Sequence, residues 1–149
     1  MIANKVGQKV GDEGKIDIDY SKDYITEACE RSLTRLKRDA IDFYQLHVAR
    51  VAHLQKGECI EAMETLKQQG KLRYWGISLI TAAPEPEATF LLRLQKGHGF
   101  QLVLNLINQL AVPIMQQASA AGYGIIARMP LQFGLLSGRM QSTDVFHPQ

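Results

Sequence analysis

The sequence has 149 residues, of which 46% are hydrophobic and 21% are charged. This composition is typical of one globular domain with its own core. Lysine and arginine outnumber aspartate and glutamate by only 17 to 15, so neither nucleic acid nor a membrane surface is favoured as a partner. No apolar run reaches the roughly 18 residues of a membrane span, and the first residues lack the apolar core of a signal peptide. We therefore expect a cytoplasmic protein.

The two cysteines indicate neither a disulfide nor a metal site. Cys29 and Cys59 each fall inside a predicted helix, and neither belongs to a CxxC or Cys/His ligand pattern. This arrangement favours two reduced thiols in the core. We expect no bound metal.

The first part of the chain alternates strand-like and helical patterns. Residues 1–6 are strand-like, and the polar, glycine-bearing segment 7–20 predicts a loop. In 21–39 the apolar residues recur at helical spacing, and either Ser21 or Asp23 can cap the helix. The apolar run IDFYQLH then predicts a buried strand with a histidine at its end, followed by a loop, VARVAHLQKGE.

The same alternation continues to the end of the chain. Gly70 is expected to end the next helix. In order, the pattern predicts a helix over 57–69, a strand over 71–80, a helix over about 85–94, a strand over 100–107, a helix over 112–121 and a strand over 122–129.

Apolar strands that alternate with helices predict a parallel sheet with crossover helices, and therefore an α/β fold. Each strand leads to a polar residue: Lys5, His47, Ser78, Gln101 with Asn105, and Arg128. Ligand sites in parallel α/β folds form at the carboxyl ends of the strands, so we expect these side chains to converge on one rim. The alternative is that strand ends are polar simply because they reach solvent.

Familiar short motifs do not indicate a function. The chain has no GxGxxG after its first strand, no GxxxxGK[ST] loop and no GxSxG turn. A lone histidine at a strand end is more typical of a hydrogen-bonded structural residue than of a ligand or a catalyst. The interpretation of His47 therefore depends on the segments around it.

Four segments resemble the aldo-keto reductase family, in family order and at similar spacing. SKDYITEACERSLTRLKRDAIDFYQLH is similar to the family's helix and strand with the pattern S-L-x-R-L-x-x-D-x-I-D-L-Y-x-x-H. EAMETLKQQGKLRYWGIS resembles E-A-M-x-x-L-x-x-x-G-K-I-R-Y-x-G-V-S, and QLVLN resembles Q-x-x-Y-N. GIIARMPLQFGLLSGR resembles G-I-I-A-x-x-P-L-x-x-G-L-L-T-G-K.

The resemblance implies a (β/α)8 fold of the TIM-barrel type that is incomplete in this chain. The strand signals correspond to the family's third to seventh strands, so we expect about five parallel strands with crossover helices. Residues 1–140 are expected to form one partial reductase domain, and 141–149 a flexible tail. Because closing a sheet removes its edges, an incomplete barrel would leave two open edges and an uncovered inner face.

The resemblance also assigns two residues to catalysis. Family members reduce carbonyls with NADPH, using an aspartate, a tyrosine that protonates the carbonyl oxygen, a lysine that lowers the pKa of that tyrosine and a histidine that orients the carbonyl. A phenol, with an ordinary pKa near ~10, donates its proton best when nearby positive charge adjusts that pKa. IANKVG makes Lys5 the candidate lysine, and His47 is the candidate histidine. The aspartate and tyrosine have no match, because they precede the lysine strand and only four residues precede Lys5.

A second group of residues is assigned to the cofactor. Ser78 and Gln101 match a serine and a glutamine that hold the nicotinamide carboxamide in the family. Leu79 and Leu104 replace the asparagine and the tyrosine that normally lie beside them. Arg128 stands where many members have an aromatic residue that stacks on the nicotinamide, and a guanidinium plane can also stack on a ring. The loop that passes the pyrophosphate, where backbone N–H groups let an anion approach, is matched by Pro130, Leu131, Gly134, Leu135 and Ser137.

We therefore expect an NAD(P)H-dependent oxidoreductase of the aldo-keto reductase type that reduces aldehydes or ketones to alcohols. NADP(H) is the cofactor that the resemblance implies, and a small-molecule carbonyl is the expected substrate. Without the tyrosine and aspartate, the chain alone is expected to be inactive. The alternative is a non-catalytic remnant that acts as a nucleotide-binding or protein-interaction module. Open sheet edges favour self-association or a complementing chain as a partner.

Overall fold

A five-stranded parallel sheet forms the centre of the protein. The computed structural model describes residues 1–11 and 14–139. Its strands, in chain order, are β1 (Ala3–Val6), β2 (Gln8–Val10), β3 (Ile16–Ile18), β4 (Ile41–His47), β5 (Leu72–Ser78), β6 (Gly99–Val103) and β7 (Gly124–Arg128). The main sheet has the order β1-β4-β5-β6-β7, and every neighbouring pair is parallel. The predicted α/β fold with about five parallel strands is confirmed.

Helices connect the strands of the sheet and cover one of its faces. They are α1 (Lys22–Leu36), α2 (Val51–Gln55), α3 (Glu58–Gln68), α4 (Glu85–Leu94) and α5 (Val112–Ala120). At the start of α1, the Ser21 hydroxyl accepts a hydrogen bond from the backbone N–H of Tyr24 at 3.3 Å. Ser21 rather than Asp23 is therefore the cap.

Alternate residues of each strand face the helices, because successive side chains of a strand point to opposite faces. The helix-facing side chains are large and almost fully buried: Tyr44, Leu46, Trp75, Ile77, Phe100 and Leu102. They form one core with apolar side chains of α1, α3, α4 and α5. Complete burial of one such side chain contributes about 1.5–3 kcal/mol, so this face accounts for most of the apolar stabilisation.

The other face of the sheet, called the open face below, has no helix packed on it within the described residues. A groove of about 800 Å³ lies against its amino-terminal end and is lined in part by Phe43, Tyr74 and Gly124. Within the same residues, β1 and β7 each have one strand neighbour only. The sheet therefore does not close, in agreement with the predicted partial barrel.

The segment 7–20, predicted to be a loop, contains an antiparallel hairpin. Gln8 is opposite Ile18, and Val10 is opposite Ile16. The apolar side chains of Val10, Ile16 and Ile18 are all exposed. Two strands of three residues each, in a polar and glycine-bearing segment, give too weak an alternation for sequence-based prediction.

The predicted loop after β4 contains the short helix α2. Oε1 of Glu87, a buried carboxylate of α4, accepts hydrogen bonds from Nε of Arg50 at 3.0 Å and from the backbone N–H of Val51 at 3.3 Å. α2 has only five residues, too few for a hydrophobic period to be visible. A contact distant in sequence holds this helix, which is why the sequence did not indicate it.

Several smaller predictions concern the ends of elements and the cysteines. β6 ends at Val103, so its predicted extension to residue 107 is wrong and Asn105 lies in a loop. Cys29 and Cys59 are both buried and free, as predicted.

Residues 140–149, which hold the predicted tail and the last residue of the predicted domain, lie outside the described residues. No helix in the described part of the chain is long and apolar enough to cross a membrane.

Candidate active site

Three of the predicted site residues lie side by side on the open face, near the carboxyl ends of β4, β5 and β6. His47 is opposite Ser78, and Ser78 is opposite Gln101, in the register of β4, β5 and β6. Neighbouring strands are about 4.8 Å apart, so residues in register form a continuous row across the sheet. We call these three residues the strand-end row.

Lys5 lies next to this row, two residues closer to the amino-terminal end of the sheet. It is opposite Gln45, which precedes His47 by two positions and so shares its face. The Lys5 side chain is exposed, and its ammonium group has no carboxylate partner within the described residues. Gln45 was not predicted as a site residue, yet its Oε1 is buried without a hydrogen-bond partner. Such an oxygen is costly to leave unsatisfied, so Gln45 is a candidate acceptor beside Lys5.

The His47 imidazole is less basic than an ordinary histidine. Burial is the main cause of its lowered pKa, and the positive charges of Lys5 and Arg128 lower the pKa further. The ring is therefore neutral near pH 7, with one N–H donor and one nitrogen acceptor. The side chains of Lys5 on β1 and Arg128 on β7 are therefore close enough to His47 on β4 for their charges to disfavour protonation of its ring.

Arg128 ends β7, opposite Val103 and one step beyond the strand-end row. Its Nη2 donates to the backbone carbonyl of Leu79 at 3.4 Å and to Oγ1 of Thr81 at 3.2 Å. Its Nε is buried without a hydrogen-bond partner. The guanidinium is thus anchored to the loop after β5, and its Nε–H donor is unused.

Backbone hydrogen bonds tie the loops beyond the strand-end row together. The N–H of Val48 donates to the carbonyl of Ser78 at 2.9 Å, and the N–H of Leu79 donates to the carbonyl of Gln101 at 2.8 Å. Val48 has a φ of 54°, a left-handed conformation that is an outlier for a β-branched residue. Strain of this kind costs about 1–3 kcal/mol and persists only where surrounding contacts impose it. The peptide after His47 is therefore fixed by its neighbours.

The loop after β7 has an irregular backbone. A 3₁₀ segment over Gln132–Ser137 is interrupted by positive φ angles at Phe133 and Gly134. Met129, just after β7, has a φ of 60°. The predicted pyrophosphate-loop residues lie here, and all are at least partly exposed: Pro130, Leu131, Gly134, Leu135 and Ser137. An irregular backbone can direct N–H groups toward an anion, which a regular helix interior cannot.

Asn105 connects this loop to the loop after β6. Its Nδ2 donates to the carbonyl of Met129 at 2.9 Å and to Oε1 of Gln132 at 2.8 Å. Its Oδ1 accepts from the backbone N–H groups of Ile107 at 2.9 Å and Asn108 at 2.8 Å. Both ends of the amide are used, so Asn105 fixes the two loops relative to each other. Sequence reasoning placed Asn105 near the rim but gave no signal for partners so far along the chain.

The strand-end row offers the polar groups that a primary amide needs. Within the described residues, the Ser78 hydroxyl and the Gln101 side-chain amide have no hydrogen-bond partner. A primary amide has a carbonyl acceptor and an NH₂ donor, and a hydroxyl with a neighbouring carboxamide can satisfy both. Among the described residues, no group of three or more histidine, cysteine, aspartate or glutamate side chains is placed to hold a metal ion.

The sequence is similar to a family model and to a protein described as an oxidoreductase. A model described as the aldo/keto reductase family matches residues 1–149. The uncharacterized oxidoreductase YqkF of Bacillus subtilis is 50% identical over 82 residues, which are 54% of this chain and 26% of that protein.

Structural comparison gives a similar result. An aldo-keto reductase from Bacillus halodurans in its holo form is 32% identical with a TM-score of 0.79, covering 95% of this chain and 44% of that one. An aldo/keto reductase from Klebsiella pneumoniae in complex with NADP and acetate is 27% identical with a TM-score of 0.68, covering 92% and 45%. The chain spans less than half the length of these relatives.

Proposed function

The chain belongs to the aldo/keto reductase family, and on that premise we propose that its strand-end row binds the nicotinamide of NADP(H) and orients a carbonyl substrate for reduction to an alcohol. The observation that carries the proposal is the register of the sheet. It brings His47, Ser78 and Gln101 together although they are far apart in sequence. Parallel α/β folds bind ligands at this end of their strands.

The nicotinamide carboxamide is a primary amide, which is the group that the row fits. In the proposal, the Ser78 hydroxyl and the Gln101 amide hold it by hydrogen bonds. Each hydrogen bond of this kind contributes about 0.5–1.5 kcal/mol net. The family's asparagine is replaced by Leu79, so we expect the carboxamide to bind more weakly than it would with a complete set of hydrogen-bonding groups. When bound, the reduced cofactor supplies the hydride.

His47 and Lys5 act on the oxygen of the substrate carbonyl. The neutral His47 ring donates an N–H to this oxygen and so fixes the orientation of the carbonyl. Negative charge develops on the oxygen when hydride reaches the carbon, and the Lys5 ammonium stabilises that charge. The resulting alkoxide needs a proton donor, and none of the tyrosines in this sequence stands in the family's motif before Lys5.

The remaining predicted contacts concern the rest of the cofactor. The Arg128 guanidinium, anchored to Leu79 and Thr81, can lie flat against the nicotinamide ring. The irregular loop after β7 offers backbone N–H groups to the diphosphate, and Asn105 holds that loop against the loop after β6. Pro130, Leu131, Gly134, Leu135 and Ser137 line this path in the proposal.

The two open edges support a further part of the proposal. The outer edges of β1 and β7 present backbone groups that a further strand could pair with. We propose that additional strands, from sequence beyond these 149 residues or from another chain, complete the barrel. If they do not, the open sheet supports the alternative of a nucleotide-binding or protein-interaction module without catalysis.

Turnover tests whether the 149 residues hold a complete catalytic site. The purified 149-residue chain is mixed with NADPH and a panel of aldehydes, and NADPH oxidation is followed by absorbance. We expect no turnover above background from this chain alone, because it lacks the proton donor. Robust turnover that His47→Ala abolishes would contradict the inactive state and would place a complete catalytic site within the 149 residues.

Cofactor binding tests the row itself. Titration with NADPH, followed by cofactor fluorescence, should show binding that Gln101→Ala weakens by about 2- to 10-fold, the equivalent of one lost hydrogen bond. Gln69→Ala is the matched control, because Gln69 is exposed just after α3, away from the row. Equal affinities for the two variants would remove Gln101 from the cofactor site.

A further inference from the structure

We propose that Tyr20 is a positioning residue that holds the carboxyl ends of β1 and β4 together, and with them Lys5 and His47. The inference rests on the roles proposed above for Lys5 and His47. Tyr20 belongs to no motif and lies between the hairpin and α1. Its importance follows from three contacts, each with a different element.

The first contact is with the backbone of His47. The Tyr20 hydroxyl donates to the carbonyl oxygen of His47 at 2.5 Å, and the tyrosine is nearly buried. Burial, and then the neighbouring Cys59, raise the pKa of Tyr20 to about 12. The hydroxyl therefore keeps its proton throughout the neutral range and remains a donor to this carbonyl.

The second contact is with the end of β1. The Tyr20 ring packs on Gly7, two residues after Lys5, where a Cβ would lie only 2.0 Å from Cε1 of the ring. Gly7 also has a φ of 113°, which side-chain-bearing residues rarely adopt. The backbone N–H of Asp19 donates to the carbonyl of Gly7 at 3.0 Å. Glycine is thus required at this position because the ring of Tyr20 occupies the space.

The third contact fixes the plane of the ring. His53 of α2 lies against Tyr20, with ring centroids 4.7 Å apart and an interplanar angle of 44°. His53 is itself held, since its Nδ1 accepts the backbone N–H of Arg50 at 3.0 Å. The ring of Tyr20 therefore lies between β1 and α2, with its hydroxyl directed at β4.

The Tyr20 hydroxyl binds the peptide group between His47 and Val48, and Val48 is the residue with the strained backbone. On one side, the carbonyl of His47 accepts the Tyr20 hydroxyl, and on the other the N–H of Val48 donates to the carbonyl of Ser78. These two hydrogen bonds hold Val48 at its left-handed φ. Loss of either one would let the peptide relax and would move the His47 ring relative to Lys5 and Ser78.

Tyr20→Phe tests the hydroxyl while keeping the ring. Tyr24→Phe is the matched control, because the Tyr24 hydroxyl also donates to a backbone carbonyl, that of Gln8 at 3.3 Å, but not to β4. The readout is NMR titration of the His47 imidazole in the 149-residue chain. We expect Tyr20→Phe to raise the pKa of His47 toward the ordinary value, because the freed ring gains water and moves away from Lys5 and Arg128. Tyr24→Phe should leave that pKa unchanged.

An unchanged His47 titration in a folded Tyr20→Phe variant would overturn the proposal. If the variant does not fold, the wild-type chain still tests the geometry, because nuclear Overhauser effects between the Tyr20 ring and the Gly7 Cα protons are expected. Their absence would equally overturn it. Neither measurement uses the cofactor, so a failed NADPH titration would count against the proposed function and not against the positioning role of Tyr20.

Discussion

The two faces of the sheet are built from the same strands, yet they differ in polarity and in the elements packed against them. The helix-facing side chains, such as Trp75 and Phe100, are fully buried and join one apolar core. Toward its carboxyl end, the open face carries Lys5, Gln45 and the strand-end row, with a buried oxygen on Gln45 that has no hydrogen-bond partner. Because strand side chains alternate, one set of residues forms the apolar core and its immediate neighbours carry the proposed site.

A pair of neighbouring aromatic residues gives the sharpest test of this division. Trp75 is fully buried on the helix side, whereas Tyr74 is 57% exposed on the open face. Trp75→Ala should lower the free energy of unfolding by about 3–5 kcal/mol, and Tyr74→Ala by no more than about 1 kcal/mol. Urea titration measures both values. Similar losses would mean that the open face is also a packed core.

Two glycines in one row of the open face test how closely its strands approach. A Cβ at Gly76 would lie 1.9 Å from the carbonyl oxygen of Gly99, whereas the nearest atom to a Cβ at Gly124 is 3.7 Å away. We expect Gly76→Ala to cost about 1–3 kcal/mol through overpacking and Gly124→Ala to stay within about 0.5 kcal/mol. Thermal unfolding of the two variants provides the comparison, and equal midpoints would refute the close approach at Gly76.

The loops at the rim should respond less than the core. Asn105→Ala removes hydrogen bonds to both loops, and we expect a loss of about 1–2 kcal/mol in the free energy of unfolding. It should also increase cleavage of the loop after β7 in limited proteolysis. Asn108→Ala is a suitable control, since among the described residues its side chain accepts one long hydrogen bond only, from Leu110 at 3.4 Å. A cleavage rate that does not distinguish the two variants would exclude Asn105 as the link between the loops.

The smallest expected effect is the pH dependence caused by His47. The folded chain binds this proton more weakly than the unfolded chain, whose histidine has an ordinary pKa of 6.5. As pH falls through that value, the unfolded state therefore gains protons first and stability declines. His47→Gln should make the decline in stability between pH 7 and pH 5 shallower. The pKa of His98 is also lowered, mainly by burial and then by Lys67, so His98→Gln should have the same sign.

Much of the sheet could be predicted from the sequence, because each strand carries its own apolar run between recognisable helices. The placement of His47 and Ser78 near strand ends also followed from local patterns, whereas the predicted strand over 100–107 puts Gln101 near its start. What those patterns could not give was the register that brings the three residues into one row. Register depends on pairing between strands that lie 20 or more residues apart along the chain.

The missed features share a physical cause. Glu87 binds the start of α2, Asn105 joins the rim loops, and the carbonyl at the end of β4 accepts the Tyr20 hydroxyl. Each is a polar contact between distant segments, in which a single side chain satisfies backbone groups. A single contact of this kind leaves no periodicity in the sequence, so only the folded chain reveals it.

The proposed binding of NADP(H) at the strand-end row can be tested directly by chemical-shift mapping. NADPH is added to the 15N-labelled chain, and the shifts of backbone and side-chain amides are followed. The largest changes should occur at Ser78, Gln101 and Arg128, including the side-chain amide of Gln101. Changes confined to the groove at the other end of the sheet, beside Tyr74 and His98, or no changes at millimolar NADPH, would show that the strand-end row does not bind the cofactor.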